Sequence, residues 1–347
     1  MKKSNLNIEN KDNYKFTFID LFAGIGGTRL GFKEAGGKCV FTSEWDESCK
    51  KTYEANFGEN PHGDITKIKA EEIPEFDILV AGFPCQPFSS IGKRQGFMHA
   101  TQGTLFYDIL RILRDKKSHL GPKAFLLENV QGLTTHDKGN TLNTIRKSLD
   151  ELGYKVFYQV LDSANFGVPQ HRKRIYIVGF RKDLFGEDIE FRYPQTNNRE
   201  SYINEFLEEN VDGYSISKRL QETYLFKLDD GRPHLVNKES RIQIKTLVAS
   251  YHKIQRLTGT FVEDGPTGIR LFTQNECKAI MGFPKGFKIP VSRTQMYRQM
   301  GNSVAVPVVE AVAKEMVKIL EKQSIKNPSN MVKSKLAQMS LNEFTQI

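Results

Sequence analysis

The sequence predicts an α/β fold, a doubly wound and mostly parallel sheet with a smaller inserted domain. Strand-like apolar runs alternate with helical patterns from residue 16 to residue 180, as in parallel strands joined by crossover helices. The alternation fades over 192–269, and helical spacing returns at 274–281 and 304–320, so we expect the last helix to pack back onto the first domain. The predicted units are a large domain of 1–180 and 286–325, a target-recognition domain of 181–285 and a polar tail of 326–347.

Each element follows from a local pattern. The β-rich run 16–22 leads into the glycine-rich turn Ala23-Gly24-Ile25-Gly26-Gly27, and the helix after it closes at Gly36-Gly37. A stripe of leucine and isoleucine side chains predicts another helix from Leu105. The other predicted strands are 39–44, a run ending at Phe83, a run through 124–127, 155–162 and 175–180, and the other predicted helices are 47–57 and 141–152.

The composition indicates an ordinary globular chain. Of its 347 residues 39% are hydrophobic and 26% charged, which argues against disorder. No apolar run approaches the roughly 20 residues that cross a bilayer. Residues 1–15 are polar rather than a signal sequence, so we expect a cytoplasmic protein with no membrane partner. The formal net charge of +9 favours a polyanionic partner such as nucleic acid, although it also serves solubility alone.

The segment Gly82-Phe83-Pro84-Cys85-Gln86 holds a cysteine just beyond a predicted strand. Open α/β sheets present reactive groups at such strand ends, so Cys85 is the candidate nucleophile. The alternative is a small buried core residue. The other cysteines are Cys39, Cys49 and Cys277, and none of the four has disulfide-framework or metal-ligand spacing. We therefore expect reduced thiols and no metal site.

The glycine-rich turn and a nearby carboxylate indicate a nucleoside site. The turn lacks the third glycine of a dinucleotide fingerprint, because Arg29 stands there, so no pyrophosphate is required. Glu44, at the end of the second strand, is suited to accept hydrogen bonds from both ribose hydroxyls. S-adenosylmethionine meets this description; the alternative is a packing turn with a surface glutamate. The residues expected around its adenine are Phe22, Trp45, Ile65 and, accepting from the exocyclic amine, Asp64.

Six short motifs follow one another between residues 16 and 310. They are Phe18-Ile19-Asp20-Leu21-Phe22-Ala23-Gly24-Ile25-Gly26-Gly27, Gly82-Phe83-Pro84-Cys85-Gln86, Glu128-Asn129-Val130, Gln170-His171-Arg172-Lys173-Arg174, the stretch from Arg270-Leu271 to Gly282-Phe283-Pro284, and Gly301-Asn302-Ser303-Val304. In this order the chain resembles the cytosine-5 DNA methyltransferases of bacterial type II restriction–modification systems. The resemblance implies the S-adenosylmethionine-dependent methyltransferase fold, S-adenosyl-L-homocysteine as product and double-stranded DNA between the two domains. It further implies a nucleoid-associated monomer and a cognate restriction endonuclease acting on the same site.

The resemblance also implies roles at a catalytic site. Cys85 would add to carbon 6 of a cytosine rotated out of the duplex, which gives carbon 5 enamine character. Glu128, kept protonated by burial, would act on N3, and Asn129 would support it or read the base edge. Arg174 would contact O2, with Arg172 beside it to hold a loop. The further cofactor contacts are Gly24, Ile25, Gly27, Gly82, Pro84, Leu105, Asn302 and Ser303.

Two segments are expected to contact DNA. The loop 88–103 resembles the closing lid of the family, although Met98-His99-Ala100-Thr101-Gln102 lacks the usual acidic pair and arginine, and Lys278 stands where arginine is commoner. Thr246-Leu247 resembles the start of the recognition loop that enters the major groove. The predicted DNA contacts are Ser89, Ser90, Lys93, Arg94, Gln170, Thr246, Leu247, Ser250, Tyr251, His252 and Lys253, with Gln255 and Arg256 as further candidates.

Two other functions stay open at this stage. A methyltransferase of this fold could act on RNA, although the recognition loop and the length of the second domain favour DNA. A DNA-binding regulator without activity is the other alternative, and the intact set of Cys85, Glu128 and Arg174 argues against it. The recognised base sequence does not follow from the loop, because one donor reads different bases in different loop geometries.

Overall fold

A computed structural model describes residues 14–83, 105–117, 121–196 and 200–326. Its centre is a six-stranded sheet in the order β2-β1-β3-β4-β7-β5, and two small two-stranded sheets pair β8 with β10 and β6 with β9. The strands are β1 (Phe16–Leu21), β2 (Gly37–Ser43), β3 (Ile78–Gly82), β4 (Ala124–Val130), β5 (Tyr154–Asp162), β6 (Gln170–His171), β7 (Lys173–Arg181), β8 (His234–Val236), β9 (Ile244–Lys245) and β10 (Thr260–Val262).

The predicted mostly parallel sheet is confirmed. Strands β1 to β4 run parallel to one another, whereas β7 is antiparallel to both β4 and β5. Strand β5 therefore points the same way as β4, and β7 alone is reversed among the six. Parallel strands end at the same edge of a sheet, so the carboxyl ends of β1 to β4 gather their following loops at one place.

The helices cover both faces of the sheet. They are α1 (Gly27–Glu34), α2 (Glu47–Phe57), α3 (Leu105–Asp115), α4 (Asn140–Glu151), α5 (Lys182–Phe185), α6 (Lys218–Leu220), α7 (Gln274–Ile280), α8 (Arg293–Asn302) and α9 (Val306–Lys326). The predictions for α2 and α4 agree with these bounds to within one residue, and α3 begins at the predicted Leu105. Sequence analysis missed α8, whose buried face mixes Met296 and Tyr297 with Gln299 and so lacks a clear apolar stripe.

The strands of the large sheet are buried on both faces, as their apolar runs predict. Alternate residues point to opposite sides: Ile19, Leu79 and Phe125 pack with α3 and α4. Phe18 and Leu126, on the other side, pack with α1 and α9. The C-terminal helix α9 thus lies on the same domain as the first strand.

The close approach of α1 and α9 depends on a glycine. A Cβ atom at Gly31 would lie 2.8 Å from both the backbone nitrogen of Glu310 and a methyl group of Val309. Backbone atoms cannot move aside cheaply, so a larger residue at this position would separate the two helices.

Residues between 200 and 300 build their own apolar core. Leu225, Val236, Phe261 and Phe272 lie in it, and it continues into the glycine-rich turn through Ile25. The bounds at 181 and 285 stay predictions. Of the helices that the structure describes, none is long and apolar enough to cross a bilayer.

Candidate active site at the carboxyl edge of the sheet

The ends of β3 and β4 bring two predicted site residues side by side. Gly82 pairs with Glu128 across the parallel ladder, and a Cβ atom at Gly82 would lie 3.6 Å from Oε2 of Glu128. Pro84 and Cys85 lie outside the described residues, as do Ser89, Ser90, Lys93, Arg94 and the predicted lid. In the sequence, however, Cys85 comes two positions after Phe83, the residue that directly follows the end of β3.

Asn129 holds the backbone that leads to the cysteine. Its Nδ2 donates to the carbonyl of Phe83 at 2.9 Å, and its Oδ1 accepts from the backbone N–H of Val130 at 2.8 Å. The side chain is buried, so it is not free to read a base edge. Of the two roles expected for Asn129, the structure favours support of the loop, and the supported group is a carbonyl rather than the carboxyl of Glu128.

Glu128 and Arg174 form a partly buried ion pair. The Nε atom of Arg174 lies 3.2 Å from Oε1 of Glu128, and the two side chains are 17% and 13% exposed. Burial raises the pKa of Glu128, an effect that the charges of Arg174 and Arg172 partly oppose. A carboxyl whose pKa is raised holds its proton closer to neutral pH, as donation to a base nitrogen requires.

The three described cysteines do not compete with Cys85 for the role of nucleophile. They are free thiols, and burial raises the pKa of Cys39 to about 11 and the pKa values of Cys49 and Cys277 further. The thiolate is the nucleophilic form, so these thiols stay unreactive at neutral pH.

The turn after β1 forms a cradle with open space above it. Phe22, with φ 56°, lies in the left-handed region, which is a strained conformation for a bulky residue. Gly24 has the same φ, and no described atom lies within 4 Å of where its Cβ would be. The turn therefore places a backbone without side chains next to free volume, which suits close approach of a ligand.

Glu44 anchors the cradle from β2. Its carboxylate accepts from the backbone N–H groups of Gly24, Trp45 and Asp46 at 2.7–2.9 Å. A carboxylate has about four acceptor positions, so about one is left for a ligand, fewer than the two ribose bonds expected. Trp45 is 78% exposed beside it. An open glycine turn, a buried carboxylate and an exposed indole fit a nucleoside.

The remaining predicted adenine contacts differ in exposure. Asp64 caps a short turn through Oδ1, which accepts from the N–H and hydroxyl of Thr66, and this leaves its Oδ2 available. Ile65 is buried among apolar residues, so it offers at most one edge to a ligand. Leu105 is half-buried at the first turn of α3.

The C-terminal motif meets the glycine-rich turn, as expected from the sequence. A Cβ atom at Gly27 would lie 2.8 Å from Oγ of Ser303, so this glycine lets the two segments touch. Asn302 is exposed and Ser303 is half-buried. Residues separated by more than 270 positions thus line one cradle.

Arg172 occupies a different place from Arg174. It is buried, and its guanidinium donates to the carbonyls of Leu247, Gly301 and Ser303. Burial and the charge of Arg174 lower the pKa of Arg172 to about 10, so it stays protonated at neutral pH. These donors hold backbone segments together, which agrees with the loop-holding role expected for Arg172.

Three predicted DNA contacts have buried side chains. Gln170 donates to the carbonyl of Ile280 and accepts from the N–H of Leu247, whose side chain lies in the apolar core. Tyr251 is 4% exposed, and its hydroxyl donates to the Thr260 carbonyl. The same hydroxyl accepts from the backbone N–H of Phe272. The polar groups of the Gln170 and Tyr251 side chains are thus used within the protein, and the Leu247 side chain is used by the core. Contact of these three residues with DNA stays a prediction.

Fewer side chains of the recognition loop are accessible to DNA than the sequence predicts. Lys253 is exposed, and Thr246, Ser250 and His252 are half-buried. Arg256, a further candidate, is instead buried against Asp230 and the carbonyls of Leu225 and Leu228. Lys278 likewise donates to the carbonyls of Lys285 and Phe287, which accounts for a cation at that position without DNA.

Sequence reasoning missed how closely the recognition loop packs on α8. A Cβ atom at Gly301 would lie 2.1 Å from the backbone nitrogen of Ala249 and 2.2 Å from the carbonyl carbon of Val248. Gly301 stands in a motif that the sequence had singled out. Glycine is needed at this position because of the contact with a distant loop, and no local sequence pattern shows that contact.

Gly301→Ala is therefore expected to destabilise the protein and loosen the recognition loop. Alanine is the better helix former by up to about 1 kcal/mol, but overpacking against backbone costs roughly 1–3 kcal/mol. Urea unfolding and DNA affinity measure the two effects. Gly286→Ala is the matched control, since no described atom lies within 4 Å of that Cβ position. Equal stability of both variants would contradict the packing assignment.

Asp20, beneath the glycine turn, predicts a pH-dependent stability. It is fully buried, accepts from the Thr28 hydroxyl at 2.5 Å, and its Oδ1 has no partner among the described residues. Burial raises its pKa from 3.8 to about 7. Between those values the folded state keeps a proton that the unfolded chain releases, so stability is full below pH 4 and falls as pH rises to 7.

The difference in unfolding free energy between wild type and Asp20→Asn isolates this effect. Asparagine stays neutral, so the wild type is expected to lose up to about 4 kcal/mol relative to the variant between pH 4 and pH 8. Denaturant unfolding at both pH values measures it. Parallel pH curves for the two proteins would show that Asp20 ionises in the folded state as it does in the unfolded chain.

The fold and this edge of the sheet define a protein of the S-adenosylmethionine-dependent methyltransferase class. The profile described as C-5 cytosine-specific DNA methylase matches residues 16–318. The chain belongs to this family and is a DNA (cytosine-5-)-methyltransferase.

Relatives and solved structures agree with this assignment. The Type II methyltransferase M.BsuFI of Bacillus subtilis is 59% identical over 328 residues, which are 93% of this chain and 79% of that protein. The Type II methyltransferase M.MspI of Moraxella sp is 58% identical over 322 residues, 92% of this chain and 75% of that protein. The crystal structure of S. pombe Dnmt2 methyltransferase has a TM-score of 0.68 at 21% identity, covers 89% of this chain and 99% of its own, and shows the shared fold alone.

Proposed function

We propose that the protein transfers a methyl group from S-adenosyl-L-methionine to carbon 5 of a cytosine in duplex DNA, through a covalent adduct with Cys85. The observation that carries the proposal is the convergence of Glu128, Arg174 and Asn129 on the end of β3, three positions before Cys85 in the sequence. The matched family supports the choice of base and ring position.

The chemistry needs a nucleophile and a proton donor on opposite sides of the ring. Addition of the Cys85 thiolate to carbon 6 forms a carbon–sulfur bond and moves the electron pair of the 5,6 double bond into the ring, toward N3 and O2. Glu128 gives its proton to N3, and the Arg174 guanidinium stabilises the charge that grows on O2. Carbon 5 then has enamine character and attacks the methyl donor. The methyl group leaves its sulfonium centre, and S-adenosyl-L-homocysteine remains as the neutral thioether. Water then takes the carbon-5 proton, the electron pair of that C–H bond restores the 5,6 double bond, Cys85 leaves as the thiolate, and N3 returns its proton to Glu128.

The cradle residues are proposed to hold the methyl donor. S-adenosylmethionine, when bound, supplies an electrophilic methyl group on a sulfonium centre. Trp45 and Phe22 would stack on its adenine, Glu44 would accept from a ribose hydroxyl with its remaining acceptor position, and Asp64 would accept from the exocyclic amine through Oδ2. The other proposed contacts are Gly24, Ile25, Gly27, Ile65, Gly82, Pro84, Leu105, Asn302 and Ser303.

The target base must leave the duplex to reach Cys85. Extrusion costs a few kcal/mol, which protein contacts to the remaining strand offset. We assign sequence reading to the outward part of the recognition loop, where Lys253 is exposed and His252 and Ser250 are half-buried. Thr246 is assigned to the edge of that surface. Ser89, Ser90, Lys93 and Arg94 stay predicted DNA contacts outside the described residues. The chain is proposed to act as a monomer.

The relatives support a proposal for the biological role. M.BsuFI and M.MspI are named Type II methyltransferases, and the chain aligns with about three quarters or more of each. We propose that this protein protects host DNA from a restriction endonuclease that cuts the same site.

Two measurements on one protein test the proposal. Bisulfite sequencing of host DNA after expression is expected to show 5-methylcytosine at one short sequence. A duplex with 5-fluorocytosine at that position is then expected to trap the enzyme covalently at Cys85, because fluorine cannot leave as the carbon-5 proton does. Methylated DNA without a trapped peptide would overturn the covalent step. Labelled RNA with unmodified DNA would overturn the choice of substrate.

A further inference from the structure

One buried guanidinium joins the recognition loop to the segment that closes the cofactor cradle. Arg172 follows directly after β6, between the two segments, and donates to both. We propose that Arg172 is a positioning residue that couples binding of cognate DNA to binding of the cofactor. The proposal rests on the proposed function, since it names both ligands, and it adds an energetic link between their sites.

On the loop side, the backbone of Leu247 is held at both of its polar groups. Its N–H donates to Oε1 of Gln170 at 3.1 Å, and its carbonyl accepts from Nη1 of Arg172 at 3.2 Å. The neighbouring Thr246 hydroxyl donates to the His171 carbonyl at 2.6 Å. The side chains of Gln170 and Arg172 and the carbonyl of His171 thus fix the root of the recognition loop.

On the cofactor side, the same guanidinium holds the end of α8. Its Nη2 donates to the carbonyls of Gly301, at 3.0 Å, and Ser303. Ser303 in turn touches the position of a Cβ at Gly27, in the glycine-rich turn. A ligand that orders this turn therefore also restrains a carbonyl bound to Arg172.

Among the described residues, the Arg172 guanidinium has no other acceptor to replace one of its three carbonyls. Arg172 is 3% exposed, and the Nε atom of its guanidinium already lacks an acceptor among the described residues. A planar fork of donors tolerates little relative movement of its acceptors, and a buried donor that loses its acceptor destabilises the protein. Movement of the recognition loop and movement of residues 301–303 are therefore tied together. Ordering one segment lowers the cost of ordering the other.

Calorimetry can measure the coupling directly. The dissociation constant of S-adenosyl-L-homocysteine is compared with and without a duplex carrying the sequence found by bisulfite sequencing. For the wild type we expect binding tighter by about five-fold or more with the duplex, and reciprocity requires the same factor for DNA. In Arg172→Lys, a single ammonium group cannot bind three carbonyls at once. The duplex is therefore expected to change the dissociation constant of S-adenosyl-L-homocysteine by no more than about two-fold.

A matched variant separates coupling from general damage. Arg256 is also a buried arginine that donates to two carbonyls, but both lie within residues 225–228, so Arg256→Lys is expected to keep the wild-type factor. An unchanged factor in Arg172→Lys, a factor of one in the wild type, or an equal loss in Arg256→Lys overturns the proposal. If Arg172→Lys does not fold, Thr246→Val decides: a reduced factor supports the coupling, and an unchanged one overturns it. Failure of methyl transfer in the wild type would instead reject the proposed function.

Discussion

Cys85→Ala is expected to reduce methyl transfer to background, at least about 10⁴-fold below wild type, as when a covalent nucleophile is removed from other enzymes. Without the sulfur, carbon 6 receives no electron pair and carbon 5 stays a poor nucleophile. Incorporation of label from S-adenosylmethionine into duplex DNA in a single turnover is the measurement. DNA binding should persist, because the phosphate contacts lie on other residues.

Cys39→Ala is the matched control for this loss. Cys39 is a half-buried thiol on β2 whose pKa is about 11, so it is protonated at neutral pH and its removal is expected to leave transfer unchanged. Measurable transfer by Cys85→Ala above the rate without enzyme would reject a covalent mechanism. Loss of transfer in both variants would show instead that the fold tolerates no cysteine replacement.

Glu128→Gln is expected to lower the rate of methyl transfer by about 10²–10⁴-fold, the usual contribution of a positioned general acid. Glutamine has nearly the same shape and can still donate a hydrogen bond to N3, but it cannot transfer a proton. The loss should appear in the single-turnover rate, with little change in DNA affinity. The expected cause is the missing proton rather than a disturbed strand end, because Asn129 still holds Phe83.

The pH profile distinguishes this role from a structural one. Burial raises the pKa of Glu128, so the protonated, active form declines as pH rises through that value, while the thiolate form of Cys85 increases. The wild type is expected to show a rise and then a fall in rate with pH, and Glu128→Gln only the rise. If the rate of Glu128→Gln also falls at high pH, the fall is caused by another group. Equal unfolding free energies of the two proteins complete the control.

Much of the fold was predictable because local patterns agree with the long-range structure. The apolar runs of β1, β3 and β4 are buried on both sides, so their composition alone marks them as central strands. Helix α2 carries its own start signal, Asp46, whose side chain accepts from the N–H groups of Ser48 and Cys49. Helix α8 has a start signal in Ser292 but a mixed buried face, so periodicity did not mark it.

The candidate site was predictable where a side chain's role depends on its own strand end. Gly82, Glu128 and Asn129 meet because parallel strands end together. The recognition loop was less predictable. Tyr251 and Gln170 carry the same donors as a base-reading residue, and only their partners, Thr260 and Ile280, show that these donors are already used.

The sequence alone determined the alternation of strands and helices over residues 16–180, the family motifs and the residue types that the chemistry needs, because these depend on local spacing and on composition. Only the tertiary structure decided which polar side chains face a ligand and which hold the backbone. Arg172 is the clearest example: its acceptors lie at Leu247, Gly301 and Ser303, between 75 and 131 positions away along the chain. A buried donor is satisfied by whatever acceptor folding brings to it, and no pattern in its own neighbourhood records that partner.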